Sequence, residues 1–158
     1  MSRIRFYRNE PEFAAKWMLD YLIKDQTKTR NIKIKVYIRC MKNDLGIVHD
    51  RSKTSYVIVL DPIMTRNQAL RILAHEVIHV AQFITGKLKD KKSKGVYWKR
   101  HKVLKSDKEE NLISLAEYFA LPWEVEAYKK QGRVARAYRK HLKSCPIHTS
   151  KSSSSAKT

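Results

Sequence analysis

The fold is decided by the stretch TRNQALRILAHEVIHVAQFITG, residues 65–86. Thr65 and Gln68 stand three residues apart at its start, which is the spacing of a capping box. Apolar residues then recur with a period of about 3.6, the period of an amphipathic helix. Gly86 suits the left-handed position at which helices commonly end. The pattern predicts one helix that runs without a break through the motif HEVIH.

The motif HEVIH places two histidines one helical turn apart. His75 and His79 occupy positions i and i+4, so both rings project from one face and can share a tetrahedral metal ion. Zinc suits these ligands best. Glu76 follows the first histidine, and its carboxylate can reach a water at the metal without binding the metal itself. We therefore predict a zinc site in which Glu76 is the general base.

A catalytic zinc takes three protein ligands, so one more donor must come from elsewhere in the chain. The segment LPWEVEAYKKQ, residues 121–131, offers Glu124 and Glu126 on a predicted helix. Residues two apart on a helix point about 200° away from each other, so only one of them can face the ion. The spacing by itself leaves the choice open.

Several segments between residues 75 and 131 resemble a known family. HEVIHVAQFITGKL, the pair YW at residues 97–98 and LPWEVEAY are similar to the small HExxH metallopeptidases of phages and bacteria, which are related to gluzincins and to SprT-like proteins. The resemblance implies a minimal zincin-like domain that hydrolyses peptide bonds with the help of zinc.

The same resemblance bears on the third ligand. In gluzincins this ligand is a glutamate on a later helix with a small residue three positions on, which favours Glu124, followed by Ala127, over Glu126. SprT-like proteins use a third histidine instead, and neither His101 nor His141 stands at a matching spacing. The resemblance therefore implies the ligand set His75, His79 and Glu124.

The flanking segments predict a small α+β domain with a helical C-terminal half. The predicted elements are a helix over residues 9–24, strands over residues 32–40, 47–49 and 56–60 in a short antiparallel sheet, and helices over residues 112–119 and 123–142. Ser106 and Glu109 have capping-box spacing before the first of the two later helices. Pro122 could interrupt or restart the helix between these two segments, and Gly132 could break the second. Residues 87–105 show no pattern of a regular element. An edge strand of the predicted sheet, beside the HEVIH helix, could align a peptide substrate by pairing with it as an added strand.

The chain is strongly basic, with 34 Lys and Arg against 15 Asp and Glu and a formal charge of +19. Residues 87–105 hold nine of these cations against Asp90 alone, and no acid follows Glu126. A surface of this kind attracts polyanions in a salt-dependent way, which predicts nucleic-acid contact without sequence preference. Tyr138 could stack on a base. The alternative is that the charge only keeps a small protein soluble.

Length and composition predict one domain over residues 1–145 and a flexible, Ser- and Lys-rich tail over residues 146–158. No run approaches the roughly 18 apolar residues that cross a bilayer, and no signal peptide is recognisable. Cys40 and Cys145 have no disulfide or metal spacing and are expected to be free thiols. We expect a cytoplasmic protein, in the host cytoplasm or a virion if the chain is phage-encoded.

Two classes of function fit these observations. The first is a zinc peptidase that hydrolyses a protein or peptide through a metal-activated water. Its basic surface could hold this enzyme near nucleic acid, or the enzyme could act without any nucleic acid. The second is a non-catalytic, basic nucleic-acid-binding or virion-associated protein with a structural metal. Within the first, Tyr118 could stabilise the oxyanion of the attacked carbonyl, although tyrosines on apolar helix faces belong more often to the core.

Overall fold

The structure, a computed structural model, describes residue 6 and residues 9–145. The predicted tail, residues 146–158, lies outside the described residues. Within them the chain forms five α-helices and two three-stranded sheets, and the C-terminal half is mainly helical. The predicted α+β class is therefore confirmed. None of the helices in this part of the chain combines the length and the apolar character needed to cross a membrane.

The N-terminal segment forms helix α1, Glu10–Leu22, with Pro11 in its first turn. Asn9 stands at the N-cap in a left-handed conformation, and its side chain makes no capping hydrogen bond. A one-turn helix, α2, Gln26–Thr29, follows. The sequence does not predict α2, because four residues are too few to show a hydrophobic period.

The first sheet contains strands β1, Lys33–Ile38, β2, Gly46–Ser52, and β3, Ser55–Leu60, in the order β1-β3-β2. β3 pairs antiparallel with β2 but parallel with β1, so the prediction of an antiparallel sheet is wrong. β3 is apolar along nearly its whole length, which suits a central strand covered on both faces. β1 carries the exposed Lys33 and Lys35, which suit an edge.

Residues 87–105 form a second sheet where the sequence predicts no regular element. It is an antiparallel meander of β4, Leu88–Asp90, β5, Val96–Trp98, and β6, His101–Leu104. Its inner face belongs to a second small core, made of Leu88, Val96, Leu104, Leu121 and Trp123. Strands this short, with so few apolar residues among lysines, give too weak an alternation to be recognised in the sequence.

Helix α3, Arg66–Ile84, is the central element and packs against α1, the first sheet and helix α5, Pro122–Ser144. The predicted capping box is confirmed: the Thr65 hydroxyl accepts from the backbone N–H of Gln68, and the Gln68 carboxamide oxygen accepts from that of Thr65. Gly86 follows the helix with a φ of 71°. The predicted helix through HEVIH is therefore confirmed together with its start.

The second predicted capping box is wrong. Ser106 makes no capping hydrogen bond, and Asp107–Asn111 forms only a 3₁₀ turn. A reciprocal box lies instead at Ser114 and Glu117, at the head of helix α4, Leu115–Ala120. Both serines have a glutamate three residues on, so the spacing could not distinguish them.

Helix α4 ends at Ala120 and α5 begins at Pro122, so the prediction that Pro122 restarts the helix is confirmed. Helix α5 continues through Gly132, so the predicted break there is wrong. A proline in the first turn removes no helical hydrogen bond, and a glycine costs only about 1 kcal/mol, which tertiary packing can outweigh. Tyr138, predicted to be available for base stacking, is fully buried and its ring lies against Trp17 of α1. That prediction is wrong, because the apolar face of α5 turns this residue toward α1.

Thr65→Ala should destabilise the protein by about 1 kcal/mol, because it removes an observed N-cap from the central helix. Ser106→Ala is the matched control and should change stability by less than about 0.5 kcal/mol. Chemical denaturation of both variants in the same metal state measures the difference. Equal losses would contradict the placement of the capping box.

Candidate metal centre

Helices α3 and α5 bring the three predicted metal ligands together. His75 and His79 lie on the buried face of α3, and Glu124 lies in the first turn of α5. The three residues are 7%, 5% and 2% exposed. Proline at the start of α5 leaves the first helical turn regular, so Glu124 has a fixed direction toward α3.

The donor atoms of these three residues face one another. The Nε2 atoms of His75 and His79 lie 3.1 Å apart. The carboxylate of Glu124 spans both rings, with Oε2 at 3.1 Å from Nε2 of His75 and Oε1 at 3.2 Å from Nε2 of His79. In the part of the chain that the structure describes, this is the group of His, Cys, Asp or Glu donors that could hold a metal ion.

Two glutamines fix the proton positions on the histidines. Nδ1 of His75 lies 3.1 Å from Oε1 of Gln131. Nδ1 of His79 lies 2.8 Å from Oε1 of Gln82, whose amide nitrogen donates to a backbone carbonyl and to Glu126. An amide oxygen only accepts, so each Nδ1 carries a proton, and Nε2 is the atom of each ring that is left to bind a metal ion. Metal-binding histidines are held in this way.

The surroundings of the centre favour a positive charge. Burial by itself would raise the pKa of Glu124, but hydrogen bonds and charge from the two histidines outweigh it and lower this pKa to about 2. Burial would likewise lower the pKa of His79, but Glu124 and Glu76 outweigh it and raise this pKa to about 9. A proton and a metal ion therefore compete for the same position.

Glu76 lies beside the donors but is not one of the group. It is buried where α3 meets the start of β2, and burial raises the pKa of its carboxyl group. Gly46 of β2 makes this approach close: a Cβ atom at Gly46 would lie 2.4 Å from Cγ2 of Ile72 and 3.1 Å from Oε1 of Glu76. Glycine at this position therefore allows the strand to lie directly against the predicted general base.

Glu126, the alternative third ligand, points elsewhere. Its Oε1 accepts from the ammonium groups of Lys87 at 2.8 Å and Lys130 at 2.7 Å, and its Oε2 accepts from Gln82 at 3.0 Å. Although burial opposes ionisation, these three bonds lower the pKa of Glu126 to about 2. Glu126 thus orients the glutamine that binds His79, while Glu124 faces the rings.

Aromatic residues of α4 and α5 border the centre. Tyr118 donates its hydroxyl to Oε1 of Glu124 at 3.0 Å, and burial, followed by the charge of Glu124, raises its pKa. The half-exposed ring of Tyr128 lies edge-on to His75, with centroids 4.6 Å apart, and next to Phe119. In this arrangement Tyr118 positions Glu124.

Sequence reasoning missed the partners of the histidines. Gln82 lies three residues after His79 on the same helix, and Gln131 lies two turns after Glu124. Each glutamine stands at helical spacing from a metal ligand, at i+3 from His79 or at i+7 from Glu124, and this spacing could have identified them. The remaining histidines of the described residues lie apart: His49 is exposed on β2, His101 is exposed on β6, and His141 stacks on Trp17. Cys40 and Cys145 are free thiols, as predicted.

Comparisons of the chain with protein-family models, with curated proteins and with solved structures find no match. The function of the centre is therefore argued from its geometry.

Glu124→Ala should abolish stoichiometric binding of zinc, used here as the probe ion, because it removes one of three donors. Glu126→Gln should retain one ion per chain, since its carboxylate lies outside the donor group. Elemental analysis of tag-free protein after dialysis provides the measurement. Loss of the ion from the Glu126 variant with retention in the Glu124 variant would reverse the assignment.

Gln131→Met should weaken zinc binding by roughly 10- to 100-fold, because His75 loses the acceptor that fixes its tautomer. The exchange keeps the length of the side chain, so little change in packing is expected. Competition with a zinc chelator at neutral pH measures the affinity. An unchanged affinity would show that His75 does not depend on this hydrogen bond.

Proposed function

We propose that the protein is a zinc-dependent peptidase with a minimal zincin-like, gluzincin-type fold. The observation that carries the proposal is the buried group of His75, His79 and Glu124 with a fourth buried residue, Glu76, beside it. A general base next to three metal donors is the arrangement that metal-assisted hydrolysis requires.

The donor set fits zinc. Two imidazole nitrogens and one carboxylate oxygen are a common ligand set of catalytic zinc, whereas magnesium and calcium prefer oxygen donors only. Both Nε2 atoms converge on one carboxylate, so a single cation at this point can bind all three side chains. When bound, zinc supplies a Lewis acid that polarises a carbonyl and makes water an effective nucleophile near neutral pH.

The residues of the chain have separate roles in this proposal. Glu76 accepts the proton of the attacking water and delivers it to the nitrogen of the leaving amine. Gln82 and Gln131 keep the two histidines in the binding tautomer. Tyr118 holds one oxygen of Glu124 in place. Acid–base chemistry is thus assigned to a single residue, and the others keep the donors oriented.

The surroundings of the centre suit a polypeptide substrate. β2 is an edge strand, and its first residue lies against Glu76, so an extended peptide could pair with it close to the centre. A shallow apolar depression lined by Phe119, Val125 and Tyr128 adjoins His75. We assign this depression to an apolar side chain of the substrate.

The main alternative is a metal that only stabilises the fold. Structural zinc sites are closed by four protein ligands. Among the described residues the group contains three donors, which leaves a position for water or substrate. Glu76 is, in addition, a buried carboxylate beside the donors that is not one of them, which is the position of a general base. These two observations favour the peptidase.

Glu76→Gln should keep one zinc per chain and lower the rate of peptide hydrolysis by about 10²- to 10⁴-fold, the usual contribution of a general base. Asp20→Asn on α1 is a control with the same exchange of acid for amide and should leave the rate unchanged. Cleavage of an unfolded, fluorescence-quenched protein provides the rate. If Glu76→Gln and wild type cleave equally, the enzyme proposal fails.

A further inference from the structure

The outer face of the second sheet combines positive charge with an aromatic ring. Lys89, Tyr97 and Lys102 are direct partners across the three strands, so their side chains lie in one row. Both lysines are exposed, and Tyr97 is partly exposed. The opposite face packs into the second core. Because the inner face is packed, the backbone that carries Lys89, Tyr97 and Lys102 has a fixed position.

The ring of Tyr97 is already a binding surface for cations. The ammonium groups of Lys91 and Lys102 lie 4.8 Å and 5.6 Å from its centroid. Its hydroxyl donates to the carbonyl of Lys94 at 3.3 Å, which limits rotation of the side chain. Lysine side chains are long and flexible, so an arriving base can replace an ammonium group on the ring while that group moves to a phosphate.

The turn between β5 and β6 adds two more cations in a conformation that is unfavourable for them. Lys99 and Arg100 both have positive φ angles, 46° and 75°, where two-residue hairpins favour asparagine and glycine. Lysine and arginine at these positions cost conformational energy and place two charged side chains at the tip of the sheet.

Residues 87–105 contain nine Lys and Arg residues, and two of them form ion pairs. Lys87 pairs with Glu126, and Lys92 pairs with Asp90. In the described part of the chain, no ion pair within 4 Å involves the other seven: Lys89, Lys91, Lys94, Lys99, Arg100, Lys102 and Lys105. Uncompensated charge on one small sheet is complementary to a polyanion.

We propose that the outer face of the second sheet binds single-stranded nucleic acid, with a base stacked on Tyr97 and phosphates bound by the surrounding lysines and Arg100. A positively charged surface with an aromatic ring is the combination that holds single strands without sequence preference. An acidic protein would use the charge but not the ring. The inner face of the sheet contacts Leu121 and Trp123, which precede Glu124 in the chain.

The test measures binding of a fluorescently labelled oligothymidylate by fluorescence anisotropy, with the full chain carrying Glu76→Gln so that the result does not depend on peptidase activity. The double variant Lys89→Gln and Lys102→Gln should weaken binding at least about tenfold. The slope of the logarithm of the binding constant against the logarithm of the salt concentration should become less steep by about 0.7 for each lost phosphate contact. Lys33→Gln with Lys35→Gln on β1 removes the same charge elsewhere and should weaken binding less than about twofold.

Substitutions at Tyr97 separate the contribution of base stacking from the contribution of charge to the binding of the oligonucleotide. Tyr97→Leu should weaken binding about tenfold without changing the salt dependence, and Tyr97→Phe should retain the wild-type affinity. The proposal is overturned if both lysine pairs weaken binding equally or if Tyr97→Leu binds like wild type. It is also overturned if polyglutamate or duplex DNA of equal charge competes as well as the single strand. Zinc content and circular dichroism establish that each variant is folded.

Discussion

The structure depends on burying three metal-binding side chains next to one another at the contact between α3 and α5. Two imidazole nitrogens and a carboxylate meet there at separations of 3.1–3.2 Å. Such a group is costly to bury unless a cation neutralises it and further hydrogen bonds hold it in place. Gln82 and Gln131 supply those bonds from the two helices themselves. The centre is thus polar inside a packed interior, and its arrangement requires α3 and α5 to keep one relative position.

The rest of the fold surrounds this contact. The first sheet reaches it through Gly46, where the missing side chain lets β2 lie against Glu76. The second sheet reaches it through Trp123, which packs in the second core and precedes Glu124 in the chain. One sheet therefore borders the proposed catalytic residue, and the other carries the basic surface. Peptide hydrolysis and polyanion binding are thus proposed for surfaces on two different sheets that contact the same two helices.

The sequence by itself determined helix α3, including its first residue and its end. Thr65, Gln68 and Gly86 act through bonds to residues three or four positions away, so their effect is readable from local spacing. The same locality placed His75 and His79 on one face and made Glu76 their neighbour. The capping box predicted at Ser106 and Glu109 was wrong because a second serine, Ser114, has the same spacing to a glutamate eight residues later, and the helix begins there.

Only the tertiary structure decided which residues meet across the chain. Glu124 lies 49 residues from His75, and helical spacing says only that Glu124 and Glu126 diverge, not which of them faces α3. The glutamine partners, the central position of β3 and the second sheet likewise depend on contacts between distant segments. Periodicity reports the environment of a residue along its own element. The identity of the partner follows from how elements pack, and no local pattern records that.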